Sequence, residues 1–76
     1  MKIEILGTGC PKCKKLFENT QKALIELNLA ADLTKVEDIN KIMEAGVMIT
    51  PAIAVDGEVK AAGKVLSVEE IKKMVS

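Results

Sequence analysis

The run Pro51-Ala52-Ile53-Ala54-Val55 limits the possible folds more than any other stretch of this chain. Five apolar residues without alternation fit a strand covered on both faces, because a strand with one wet face alternates. Asp56-Gly57 follows directly and is a strong two-residue hairpin signal, with Glu58 to Ala62 as its return strand. A doubly covered strand requires a sheet with a layer packed on each side.

The rest of the sequence supplies those layers. Lys2 to Leu6 alternates Ile3 and Ile5 against Lys2 and Glu4, and reads as a first strand. Cys13, Leu16, Phe17, Thr20, Leu24 and Leu27 then recur at helical spacing, and Pro11 suits a first helical position. That helix is expected from about Pro11 to about Asn28. Leu29 to Val36 reads as a weaker strand. Asp38 is placed to cap a short helix that turns Ile39, Ile42 and Met43 inward and ends at Gly46. Ser67-Val68-Glu69-Glu70 has the form of a capping box, opening a helix with Val68, Ile71, Met74 and Val75 as its buried stripe. The order is β-α-β-α-β-β-α. The expected fold is α/β, a four-stranded mixed sheet with helices on both faces, in which two crossover helices imply parallel pairings.

With 76 residues the chain is expected to be one domain, residues 1–76. The start, MKIEILGTG, alternates and lacks the apolar stretch of a signal peptide, and no run has the length of a membrane span. A cytoplasmic protein without membrane contact is therefore expected, in a compartment where thiols are kept reduced. Eleven basic residues, all lysine, balance eleven acids, which argues against nucleic acid as a partner. One aromatic residue, Phe17, provides no row of stacking platforms. With no histidine, hydrolase chemistry built on a histidine base is excluded within the chain.

The chemistry concentrates in Gly7-Thr8-Gly9-Cys10-Pro11-Lys12-Cys13-Lys14-Lys15, which holds both cysteines. They close too small a loop to act as a useful staple. On the expected scaffold Cys10 sits at the helix N-terminus in a glycine turn, and Cys13 joins the inward stripe one turn later. Three residues apart, they are within disulfide reach. A thiolate at Cys10 gains from unpaired backbone N–H groups, the helix dipole, and the charges of Lys12, Lys14 and Lys15. Cys10 is thus the expected nucleophile and Cys13 the resolving thiol, with Gly9, Pro11 and Lys12 in support.

Other uses of the two sulfurs remain open at this point. A structural zinc site needs four ligands, so carboxylates or a second chain would have to complete it. A Cu(I)-binding module using the same CxxC is a closer rival, since thiolates suit that ion. Small ferredoxin-like copper domains, however, end in a strand and commonly carry methionine before the first cysteine, where this chain has Thr8-Gly9 and ends in a capped helix. The pair could also be small buried hydrophobes, which suits Cys13 better than Cys10. A silent domain that keeps the fold without the chemistry is a further option. Met43, Met48 and Met74 read as core or near-core filler, and the remaining lysines as solvated surface.

Taken together, CPKC after a first strand, Thr50-Pro51 before a buried strand, and the Asp56-Gly57 hairpin resemble the thioredoxin/glutaredoxin superfamily. More narrowly, the chain is similar to the short thioredoxin-like "redox-active disulfide" proteins, over its whole length. The resemblance implies a glutaredoxin-sized thioredoxin-like fold, and protein disulfide oxidoreductase activity that cycles Cys10–Cys13. It implies no cofactor and no metal beyond that disulfide. It also implies that Pro51 is a cis-proline beside the pair and that the Thr50 backbone pairs with an extended substrate segment. From the residues alone, Pro51 is an ordinary strand-start proline. Protein disulfides and an upstream dithiol reductase are the implied partners, and a monomer is expected. Two departures stand out. Gly9 occupies the place of the tryptophan common in thioredoxins. Ala62-Gly63-Lys64 stands where glutaredoxins carry a Gly-Gly pair and an aspartate, which puts glutathione use in doubt.

Overall fold

The computed structural model describes residues 1–75. Seven elements follow one another: β1 (Lys2–Leu6), α1 (Pro11–Glu26), β2 (Asp32–Val36), α2 (Ile39–Glu44), β3 (Ala52–Val55), β4 (Glu58–Ala62) and α3 (Val68–Val75). The strands form one sheet in the order β2-β1-β3-β4. β1 runs parallel to β2 and antiparallel to β3, and β3 pairs antiparallel with β4.

Only one pairing is parallel, where two crossover helices suggested more. Val36 at the end of β2 and Ala52 at the start of β3 both stand opposite Leu6. The connection through α2 therefore leaves and re-enters the sheet at the same end. It does not run back along the sheet, so β3 enters antiparallel.

Alternation along β1 and β3 divides the core between the two faces. Ile3, Ile5, Ile53 and Val55 pack with Leu16, Ala23 and Leu24 of α1 and with Ile71 and Val75 of α3. Leu6, Ala52 and Ala54 pack on the other face with Ile42 and Val47. All four β3 residues are buried, as a strand with both faces covered requires. Asn19, buried between α1 and the approach to α3, donates from Nδ2 to the Leu66 carbonyl at 2.9 Å. On the surface, Lys72 joins α3 to Glu26 of α1 at 3.1 Å.

Helix ends explain two boundary differences. Asn28 adopts φ 53°, the Asn28 N–H reaches the Ile25 carbonyl, and the Leu29 N–H reaches the Leu24 carbonyl, each at 3.0 Å. This double bond pattern closes α1 before Asn28 and folds Leu29 back onto the core. Leu29 to Ala31 are therefore a connection, and β2 begins at Asp32. α2 ends in the same way at Gly46, with Val47 packed against Ile42. Of the three α2 residues expected inward, only Ile42 is buried; Ile39 and Met43 are 60% and 67% exposed. A helix of six residues lying on one sheet face buries a single stripe, and Ile42 occupies it. Met48 is likewise not core filler but 94% exposed, while Met74 packs partly buried against the core.

Candidate active site

The end of β1 and the start of α1 build the site. After Leu6 the Gly7 N–H continues the β1–β2 ladder by donating to the Val36 carbonyl at 3.0 Å. Gly9 then turns the chain at φ 89°, a left-handed conformation that a side chain disfavours. Cys10 follows as the residue preceding the first helical position, with extended backbone, and Pro11 opens the helix. The Cys10 carbonyl accepts the first helical bond from the Lys14 N–H at 3.1 Å.

This arrangement exposes the two sulfurs unequally. Cys10 is partly exposed and Cys13 is buried, both as free thiols. Their Sγ atoms lie 2.8 Å apart in a hydrogen bond. The Cys10 thiol is held below its ordinary pKa, first by the Cys13 thiol and then by the backbone amides of Cys13 and Lys12. Cys13 is pushed the other way, chiefly by burial and then by the same contact with Cys10. The two shifts are opposite in sign, so on ionisation Cys10 gives up its proton before Cys13 does.

Gly7 has a role that its sequence context did not reveal. A Cβ there would overlap Cys13 Sγ and lie 3.8 Å from Thr50 Cβ. Its φ lies outside the left-handed region, so the constraint on it is space and not backbone conformation. The only signal in the sequence was a second glycine in the same loop.

The segment before β3 stands beside this pair. The Thr50–Pro51 peptide is cis, Pro51 is buried and Thr50 is exposed. The Pro51 carbonyl accepts from the Gly63 N–H at 2.8 Å, which fixes the segment to the end of β4. Among the described residues, the Thr50 N–H and carbonyl have no hydrogen-bond partner. Pro11 and Lys12 lie exposed between the cysteines.

Behind Cys13 opens a cavity of about 180 Å³, lined in part by Gly9, Lys14, Lys35 and Glu37. Lys35 also lies over the Phe17 ring, 4.7 Å from its centroid. Neither Lys35 nor Glu37 carries a sequence pattern that marks it, since they reach the site through the parallel pairing of β2 with β1. Among the described residues, no group of three or more His, Cys, Asp or Glu side chains is arranged to hold a metal ion.

A family model described as a thioredoxin domain matches residues 1–76. The chain belongs to the thioredoxin family. Among its thioredoxin relatives is a protein named Thioredoxin from Methanothermobacter thermautotrophicus. It is 47% identical over 76 residues, covering 100% of this chain and 99% of the relative. A second Thioredoxin, from Methanocaldococcus jannaschii, is 49% identical over 71 residues, covering 93% of this chain and 81% of the relative. With its paired sulfurs, this thioredoxin-family chain is a thiol–disulfide oxidoreductase. No helix among its described residues is long and apolar enough to cross a membrane.

Proposed function

We propose that Cys10 is the attacking thiolate, Cys13 the resolving thiol, and protein disulfides the substrates. The observation that carries this reading is the 2.8 Å contact between a partly exposed sulfur and a buried one. In the first step Cys10 Sγ attacks one sulfur of the partner disulfide. That bond breaks, the other partner sulfur leaves as a thiolate and takes up a proton, and a mixed disulfide remains. Cys13 then loses its proton, bonds to Cys10 Sγ, and releases the second partner thiol. Two electrons and two protons pass to the partner, and Cys10–Cys13 becomes a disulfide.

The neighbouring groups have defined tasks. Gly9 and Pro11 start α1 at Cys10, and Lys12 adds positive charge beside the thiolate. Pro51 packs beside the pair, and Thr50 offers its unused N–H and carbonyl to an extended segment of the substrate. The redox group is the cysteine pair itself, without cofactor or metal. An upstream dithiol reductase returns it to the reduced form. The chain works as one domain and as a monomer, in the cytoplasm.

Cys13→Ser tests the roles directly. With resolution blocked, a model disulfide should remain attached to Cys10 as a stable mixed disulfide, seen as a mass increase that reductant removes. A C13S protein that captures nothing while Cys10→Ser does would reverse the assignment. Capture by neither would end it.

A further inference from the structure

We infer that the surface around Cys10 selects protein disulfides whose flanking segment carries an apolar side chain on one side and carboxylates on the other. This selection rests on Cys10 acting as the nucleophile, as proposed above, and specifies the class of substrate segment it takes.

The apolar half comes from Met48 and Ile49, which are 94% and 64% exposed. They lead directly into Thr50, and at about 3.3–3.6 Å per residue Met48 lies within roughly 7 Å of it along the chain. Thr50 in turn borders Gly7 and Cys13. Ile49 packs so closely against Gly63 that a Cβ there would stand 2.9 Å from Ile49 Cγ2. That contact and the Gly63–Pro51 hydrogen bond hold the apolar shoulder against the body of the protein. A substrate strand paired with the Thr50 backbone would run alongside it.

The charged half comes from α1. Lys12, Lys14 and Lys15 are exposed, the first turn contains no acid, and among the described residues none of the three forms an ion pair. The chain as a whole has no surplus of charge, so this is a local concentration. Glu37, against Gly9, is the carboxylate on the cavity side, where Lys14 and Lys35 also face it. The rim of the site is left positive. Such a rim attracts acidic segments and repels lysine-rich ones, raising encounter rates for the former. An exposed ion pair changes an equilibrium by roughly 1.5- to 5-fold. Three lysines together should discriminate about tenfold.

Three disulfide-bonded peptides test this, with Leu and Glu, Leu and Lys, or Ser and Glu flanking the cysteines. The readout is the second-order rate at which the reduced protein consumes each. At low salt the Leu/Glu peptide should react about tenfold faster than Leu/Lys, and the ratio should fall towards one near 1 M salt, where screening acts within about 3 Å. The K14E/K15E variant should invert the ratio, which cancels any change in the reactivity of Cys10 itself. Met48→Ser, at an exposed position, should reduce the preference for Leu/Glu over Ser/Glu and leave the charge ratio alone. Equal rates on Leu/Glu and Leu/Lys at low salt, or a ratio unmoved by K14E/K15E, overturn the selection while leaving the oxidoreductase reading intact. Failure to reduce even hydroxyethyl disulfide would remove that reading and the selection with it.

Discussion

The α-carbon of Gly7 faces the sulfur of Cys13 so closely that one added methyl group would overlap the sulfur. Since Gly7 lies outside the left-handed region, an alanine there is not opposed by backbone conformation, only by crowding. Gly7→Ala should therefore cost about 1–3 kcal/mol, the usual penalty for an overfilled interior. In a Cys13→Ala background the overlap with sulfur is gone and only a 3.3 Å approach to the β-carbon remains. The cost of Gly7→Ala should then fall by at least half. A double-mutant cycle by urea denaturation measures this coupling, and strict additivity would contradict it.

The hydrogen bond from Cys13 is the first cause lowering the Cys10 pKa, ahead of the backbone amides. Cys13→Ala removes that donor, so the pKa of Cys10 should rise towards the ordinary thiol value of about 8.5. Alkylation of Cys10 should follow its thiolate fraction. In the native protein the rate should climb and level off at lower pH than in Cys13→Ala. A profile that does not move would assign the shift to the start of the helix alone.

On α2, exposure separates neighbouring positions. Ile42 is 3% exposed and fills the core beneath the sheet, whereas Ile39 and Met43 face outward. Ile42→Ala should cost about 2–5 kcal/mol. Ile39→Ala should stay within about 0.5 kcal/mol, as surface changes do. In a chain this short the first loss consumes much of the total stability, so the urea midpoints of the two variants should separate widely.

Much of the architecture was legible in the sequence because local patterns agreed with one another. The unbroken Pro51–Val55 run gave a strand covered on both sides, and Asp56-Gly57 gave its turn; both residues now have positive φ. The Ser67 capping box and the Pro11 helix start are likewise local signals with local causes. The errors arose where distant parts of the chain decide. Ile39 and Met43 are apolar at positions suited to burial, but the sheet face under α2 has room for one stripe only, and Met48 lies past α2 in the connection to β3. The direction of β3 depended on which end of the sheet α2 returns to, and helix and strand patterns do not encode that. At the site, the CxxC spacing and helix start brought the two sulfurs together on the page. Gly7 as a steric partner of Cys13, and Glu37 and Lys35 at the cavity, depend on tertiary packing that no spacing records.

The start of α3 offers a test that combines stability with pH. The Ser67 N–H donates to Glu70 Oε1 at 3.1 Å, and the Glu70 N–H donates to Ser67 Oγ at 3.2 Å. Ser67→Ala removes one of these bonds and should cost about 1 kcal/mol. For a domain of this size that corresponds to a fall in Tm of about 4–8 °C. The backbone N–H of Ser67, followed by its hydroxyl, holds the Glu70 carboxyl below its ordinary pKa. A group depressed in the folded state contributes stability above its unfolded pKa, about 4.3 for Glu, and that contribution disappears as pH falls through the folded value. Glu70→Gln should therefore destabilise the protein at neutral pH. The difference from the native protein should shrink on acidification through this window. Thermal melts from neutral to acid pH would show the two curves converging, and a constant offset would remove the charged carboxylate from the cap.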